Sequence, residues 1–68
     1  MNQSHNKPEC KLIGENGNIF NLVAIASRTL REHGLQEQAE ELTNKILNGE
    51  ANSYHHALAI IMEYVEIV

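Results

Sequence analysis

The chain has 68 residues, nine acidic and five basic side chains, a formal net charge of −4 and one cysteine. That length admits a single domain with a marginal core, which buries only about 60% of the surface its unfolded chain exposes. One cysteine excludes an internal disulfide, and no segment approaches the ~20 apolar residues of a membrane-spanning helix.

Small domains usually gain support from disulfides, a metal or self-association, and here self-association is the economical expectation. The lone cysteine fits a reducing compartment. The polar start, Met1 to Asn6, lacks an apolar signal core, so a cytoplasmic location is expected. Charge is unevenly spread. Residues 1–33 set Lys7, Lys11, Arg28 and Arg31 against Glu9, Glu15 and Glu32, for a net of +1. Residues 34–68 set Lys45 against Glu37, Glu40, Glu41, Glu50, Glu63 and Glu66, for a net of −5. An acidic second half disfavours non-specific nucleic-acid binding, which needs a positive field.

In chain order, residues 1–8 read as a flexible arm, with Pro8 biasing Lys7 toward an extended shape. Residues 9–20 read as a β-hairpin. Glu9–Ile13 and Asn18–Phe20 form its strands around Asn16-Gly17, the dipeptide that favours a type I′ turn. Residues 22–33 read as a first helix capped by Asn21. Its apolar face carries Leu22, Ile25, Ala26, Thr29 and Leu30, and Gly34 stops it. Residues 36–48 read as a second helix, with Leu35, Ala39, Leu42 and Ile46 as its stripe and Gly49 as its stop.

Residues 53–66 read as a third helix capped by Ser53, with Tyr54, Ala57, Leu58, Ile61 and Val65 as its core stripe. Ala59, Ile60 and Met62 are apolar too, so residues 57–62 form an unbroken apolar run. A helix apolar nearly all round is central in its domain or covered by another chain. In so small a domain this predicts a homo-oligomer whose interface contains Tyr54, Leu58, Ile60, Ile61, Met62 and Val65. The last residues, Val65-Glu66-Ile67-Val68, alternate with period two and could leave the helix as an extended tail. The fold expected is an α-rich α+β domain over residues 9–68, a hairpin followed by three short helices.

Three runs carry a resemblance: Cys10-Lys11-Leu12-Ile13-Gly14, Gly17-Asn18-Ile19-Phe20-Asn21-Leu22, and Ile25-Ala26-Ser27-Arg28-Thr29-Leu30. With Ala57-Leu58 and Glu63-Tyr64-Val65, they resemble a family of small uncharacterised proteins of Gram-positive bacteria, their phages and mobile elements. The resemblance covers residues 8–67 and brings no functional residue with it. It implies a phage or mobile-element accessory protein, a class that often binds host machinery or defence systems.

Catalysis is not expected. The chain has no aspartate, and its length leaves little room for a water-excluding pocket. Cys10 lacks a motif partner and reads as a small buried hydrophobe in a strand. His55 and His56 are adjacent on a helix and point about 100° apart, so they cannot share a metal as an i,i+4 pair could. No metal or cofactor is implied. Gly14-x-x-Gly17 lacks the lysine and glycine count of a phosphate loop.

Arg28 and Arg31 share a helix face, and Lys11 would lie beside them if the hairpin packed there. They form a candidate patch for a small anion or an acidic partner, against the plainer reading of a solvated face. The first expectation is therefore a non-enzymatic protein that binds and modulates another protein. The alternatives are an oligomer that sequesters a small anion or nucleotide, and a weak nucleic-acid-binding accessory.

Overall fold

The computed structural model describes residues 7–68. In chain order these form β1 (Glu9–Cys10), α1 (Ile19–Glu32), α2 (Gln36–Leu47), α3 (Tyr54–Met62) and β2 (Glu66–Ile67). The fold is an α-rich α+β domain in which three helices close on one core and a two-stranded sheet seals it. Among the described residues, no helix is long and apolar enough to cross a membrane.

Helix α1 starts at Ile19 because Asn18 caps it, its side-chain oxygen accepting from the Phe20 amide at 2.8 Å. Leu22, Val23, Ala26, Ser27 and Leu30 turn into the core. Gly34 ends the helix at a φ of +76°. There the Gly34 amide bonds the Arg31 carbonyl (3.0 Å) and the Leu35 amide bonds the Leu30 carbonyl (2.8 Å). That pair of bonds is the Schellman arrangement, and it requires a left-handed residue that glycine supplies at little cost. Gly49 repeats the device after α2, again at +76°, with Gly49 bonding Ile46 and Glu50 bonding Lys45.

Helix α2 buries Ala39, Leu42 and Ile46, as its stripe predicts. Helices α1 and α2 also share a polar contact. Buried Ser27 meets the Thr43 hydroxyl at 2.7 Å, and Thr43 donates to the Ala39 carbonyl at 2.9 Å, so no hydroxyl there goes unpaired. Helix α3 is capped by Ser53, which accepts from the His56 amide.

The expected hairpin does not form. β1 instead pairs with β2 in parallel, in the register Glu9 to Glu66 and Cys10 to Ile67. The Glu66 amide donates to the Pro8 carbonyl (2.9 Å), the Val68 amide to Cys10 (3.0 Å) and the Leu12 amide to Val68 (3.0 Å). A type I′ turn needs positive φ at both central residues. Yet Asn16 and Gly17 both lie outside the positive-φ residues, which are Gly14, Gly34 and Gly49. Asn16 Oδ1 accepts from the Asn18 amide at 2.8 Å, and this local side-chain bond competes with a strand ladder and leads into the α1 cap.

Residues 1–6 of the expected flexible arm lie outside the described residues. Its last two residues are docked: Pro8 is buried, and Lys7 Nζ donates to the Met62 carbonyl at the end of α3 (2.8 Å). The third helix stops at Met62, shorter than the expected 53–66, and the chain turns so that Tyr64 and Val65 return to the core. Much of the apolar run on α3 is therefore covered by its own chain. Ala57, Ile60 and Ile61 are buried, Leu58 is half-buried, and Ala59 and Met62 face outward.

Candidate functional site

Among the described residues, two surface depressions stand out once the core closes. The first, about 350 Å³, is lined by Lys7, Pro8, Leu30, Leu35, Gln38, Glu63 and Tyr64. Beside it, the Tyr64 hydroxyl donates to Glu41 at 2.8 Å. The Lys45 ammonium sits 5.3 Å from the Tyr64 ring centre and 3.5 Å from the Glu63 carboxylate. Burial pushes the Tyr64 phenol above its ordinary value, with Glu41 adding to the rise and Lys45 opposing it. Lys45 is itself raised, foremost by Tyr64 and further by Glu63, against the opposing cost of burial. A neutral phenol clamped between a carboxylate and an ammonium is a strut joining α2 to the end of α3. It holds no activated nucleophile.

The second depression differs in chemistry. It measures about 340 Å³ and is lined by Ile19, Phe20, Ile46, Ala51, Asn52, Ser53, Tyr54 and Ala57. None of these side chains carries a charge at neutral pH. Its walls are the first turn of α1, the end of α2, the α2–α3 connection and the start of α3. Tyr54 fixes the geometry by donating its hydroxyl to the Gly17 carbonyl, which ties α3 to the segment before α1. The connection is fixed as well. The Asn52 amide donates to His56 Nδ1 at 2.9 Å, and the His56 amide donates to Ser53 Oγ at 3.1 Å. A ring that accepts at Nδ1 carries its neutral-state proton on Nε2. His55 stacks edge-on against Tyr54, with ring centres 6.4 Å apart.

Phe20 stands at the rim of this groove and is 61% exposed. A phenyl ring left mainly in water beside an apolar groove is an unpaid hydrophobic term that a partner would recover. Tyr54 is also exposed, and Leu47 follows the groove residue Ile46 on α2 with its side chain largely in solvent.

The residues singled out from sequence fall in several places. Arg28, Arg31 and Lys11 are all exposed, and neither depression includes them. Among the described residues, no hydrogen bond or ion pair joins any of the three to a partner side chain. Of the residues expected at an oligomer interface, Ile60, Ile61 and Val65 are core of their own chain, exposed by 5%, 0% and 1%. That part of the expectation is corrected, because a side chain buried within one chain presents no surface to another. Tyr54 and Met62 do face outward, and Leu58 is half-buried.

Cys10 is buried, with its sulfur 3.5 Å from the Thr29 hydroxyl. Among the described residues, no group of three or more His, Cys, Asp or Glu side chains gathers as a metal site would require. Sequence reasoning missed Phe20, Ile19 and Ile46 as groove residues. Phe20 was placed in a strand. The signal that finds it is Asn18 as the α1 cap, which puts Phe20 in the first turn of a helix, at the edge of the buried stripe that Val23 and Ser27 continue.

No protein-family model, curated protein or solved structure matches the chain.

Proposed function

We propose that the protein is a non-catalytic interaction module that binds and modulates another protein, and that the groove beside Phe20 is its docking surface. The observation that carries this reading is the exposed Phe20 ring at the edge of an uncharged depression. Aromatic side chains at an apolar, uncharged centre are the composition of protein–protein interface cores. The groove is side-chain-sized, near the lower end of the ~300–1,000 Å³ typical of small-molecule pockets. It also lacks the charged side chains that hold an anionic metabolite. Both features favour an apolar side chain of a protein over a nucleotide or other small anion.

A non-catalytic role is supported by the chemistry at hand. The one thiol is buried, and the one perturbed phenol is raised rather than activated. The resemblance to small proteins of phages and mobile elements directs the search for a target toward host machinery, defence systems included.

The test is affinity capture from a Gram-positive lysate with the native chain and with Phe20→Glu, followed by identification of what is retained. A protein held by the native chain and released by the substitution is the expected result. Capture that ignores Phe20 would move the docking surface elsewhere.

A further inference from the structure

The described chain holds two Asn-Gly pairs, Asn16-Gly17 and Asn48-Gly49. An asparagine side chain can be attacked by the amide nitrogen of the residue that follows it, and a glycine there leaves the approach open because it has no Cβ. The other asparagines among the described residues precede Ile19, Leu22, Lys45 and Ser53, whose side chains crowd that nitrogen. The fold treats the two pairs differently. At Asn48-Gly49 the Gly49 amide is held by the Ile46 carbonyl (3.2 Å) and the Asn48 amide by the Asn44 carbonyl (2.8 Å). Attack there must first break the turn that ends α2. At Asn16-Gly17 both residues are exposed, and among the described residues nothing accepts from the Gly17 amide.

We propose that Asn16 is a self-modification site, which cyclises onto the Gly17 amide and opens to aspartate or isoaspartate. The Gly17 nitrogen gives up its proton to solvent and bonds to Asn16 Cγ. The Cγ–Nδ2 bond breaks and ammonia leaves, so the product is a cyclic imide. Water then opens the ring at either carbonyl. Opening at Cγ gives aspartate, and opening at the backbone carbon gives isoaspartate, with the chain rerouted through the side chain. Charge builds on Asn16 Oδ1 during the attack, and the Asn18 amide already donates to that oxygen at 2.8 Å. A donor held at the atom where negative charge develops lowers the barrier. The step consumes only water.

The site reaches the groove through the carbonyl of the same glycine. Gly17 accepts from the Tyr54 hydroxyl, and a Cβ at position 17 would stand 3.3 Å from that oxygen. The close approach of Tyr54 therefore favours glycine at 17, and glycine is also what exposes the nitrogen. Isoaspartate lengthens the backbone by a methylene and turns the Asn16 carbonyl, the acceptor of Asn21 Nδ2 at 2.9 Å, into a free carboxylate. The Gly17 carbonyl then leaves Tyr54, and the tie from α3 to the segment before α1 is released. Modification thus loosens one wall of the groove with age, whatever the groove binds.

The experiment ages the native chain in mildly alkaline buffer, folded and in urea, and follows both Asn-Gly pairs by peptide mass spectrometry. In the folded chain, conversion at Asn16 is expected about three- to tenfold faster than at Asn48, the range that one intact backbone hydrogen bond is worth. In urea the two rates should converge, because the same dipeptide is then free at both. The isoaspartate form, separated by chromatography, should show displaced Tyr54 ring resonances with those of Tyr64 unmoved. Asn16→Ser keeps a hydroxyl oxygen for the Asn18 amide and cannot cyclise, so its Tyr54 resonances should not change with age.

Conversion at Asn48 as fast as at Asn16 in the folded chain overturns the proposal, as does an Asn16 that reacts in urea and not when folded. Tyr54 resonances that isoaspartate leaves in place overturn the release of the groove wall. Target capture is read separately with the Asn16→Ser chain, so failure of the docking reading leaves the chemistry at Asn16 standing.

Discussion

Ile61→Ala separates two accounts of α3, because Ile61 was expected at an interface between chains and lies instead in the core of its own chain. The side chain is fully buried, 0% exposed. Truncation removes about three buried carbon groups at about 0.8 kcal/mol each, or roughly 2.4 kcal/mol of transfer free energy. The cavity left behind adds to this, and such truncations span about 2–5 kcal/mol. At roughly 0.05–0.15 kcal/mol per residue, a chain of this length has only about 3–10 kcal/mol in total. The substitution should therefore lower the melting temperature by about 8–40 °C, at about 4–8 °C per kcal/mol in domains of this size. The assay is urea and thermal unfolding followed by far-ultraviolet circular dichroism. It is best run at several chain concentrations, so that any self-association shows as a shift of the midpoint. Met62→Ala, at a side chain 53% exposed, should change stability by no more than about 0.5 kcal/mol. A loss below about 1 kcal/mol for Ile61→Ala would refute the packing described for α3.

Three further outcomes follow from particular contacts. Glu9 and Glu66 lie side by side in the parallel pair and both are exposed, so Glu66→Lys should stabilise the fold by about 0.2–1 kcal/mol, measured by urea midpoint and weakened by salt. The Tyr64 phenol is raised in the folded state, so the stability it contributes is complete below its unfolded value of 10.0 and is lost as pH rises through the higher folded value. Phenolate absorbance should show that late ionisation, and Tyr64→Phe should shrink the alkaline loss of stability; an unchanged alkaline profile would contradict the clamp. The Cys10 thiol is 1% exposed and should resist a disulfide reagent in the native chain. Deleting residues 66–68 removes the bonds that β2 makes to Pro8, Cys10 and Leu12, and at ~0.5–1.5 kcal/mol net for each bond the modification rate should rise about tenfold or more.

Where contacts are local, the sequence foretells them. The Leu35, Ala39, Leu42 and Ile46 stripe, the glycine stops at Gly34 and Gly49, and the Ser53 cap all recur in the structure, because each depends on residues within a turn or two. The hairpin failed at Asn16-Gly17, where two asparagine side chains, Asn16 and Asn18, bond nearby amides and draw Ile19 and Phe20 into α1. The true partner of Glu9–Cys10 is the tail at Glu66–Ile67, at the far end of the chain. The period-two alternation of residues 65–68 marks an extended tail, but nothing local specifies what it pairs with. The groove was illegible for the same reason. Its walls come from both ends of the helical set, and Phe20 becomes exposed only once α1 is extended back to Ile19.

The most direct test of the central claim is amide chemical-shift mapping of the labelled chain against the protein that affinity capture retains. The docking reading predicts shifts concentrated on the groove walls, Ile19, Phe20, Ala51 and Tyr54 foremost, and their loss with Phe20→Glu. Shifts on a different face, or shifts that survive the substitution, would contradict it.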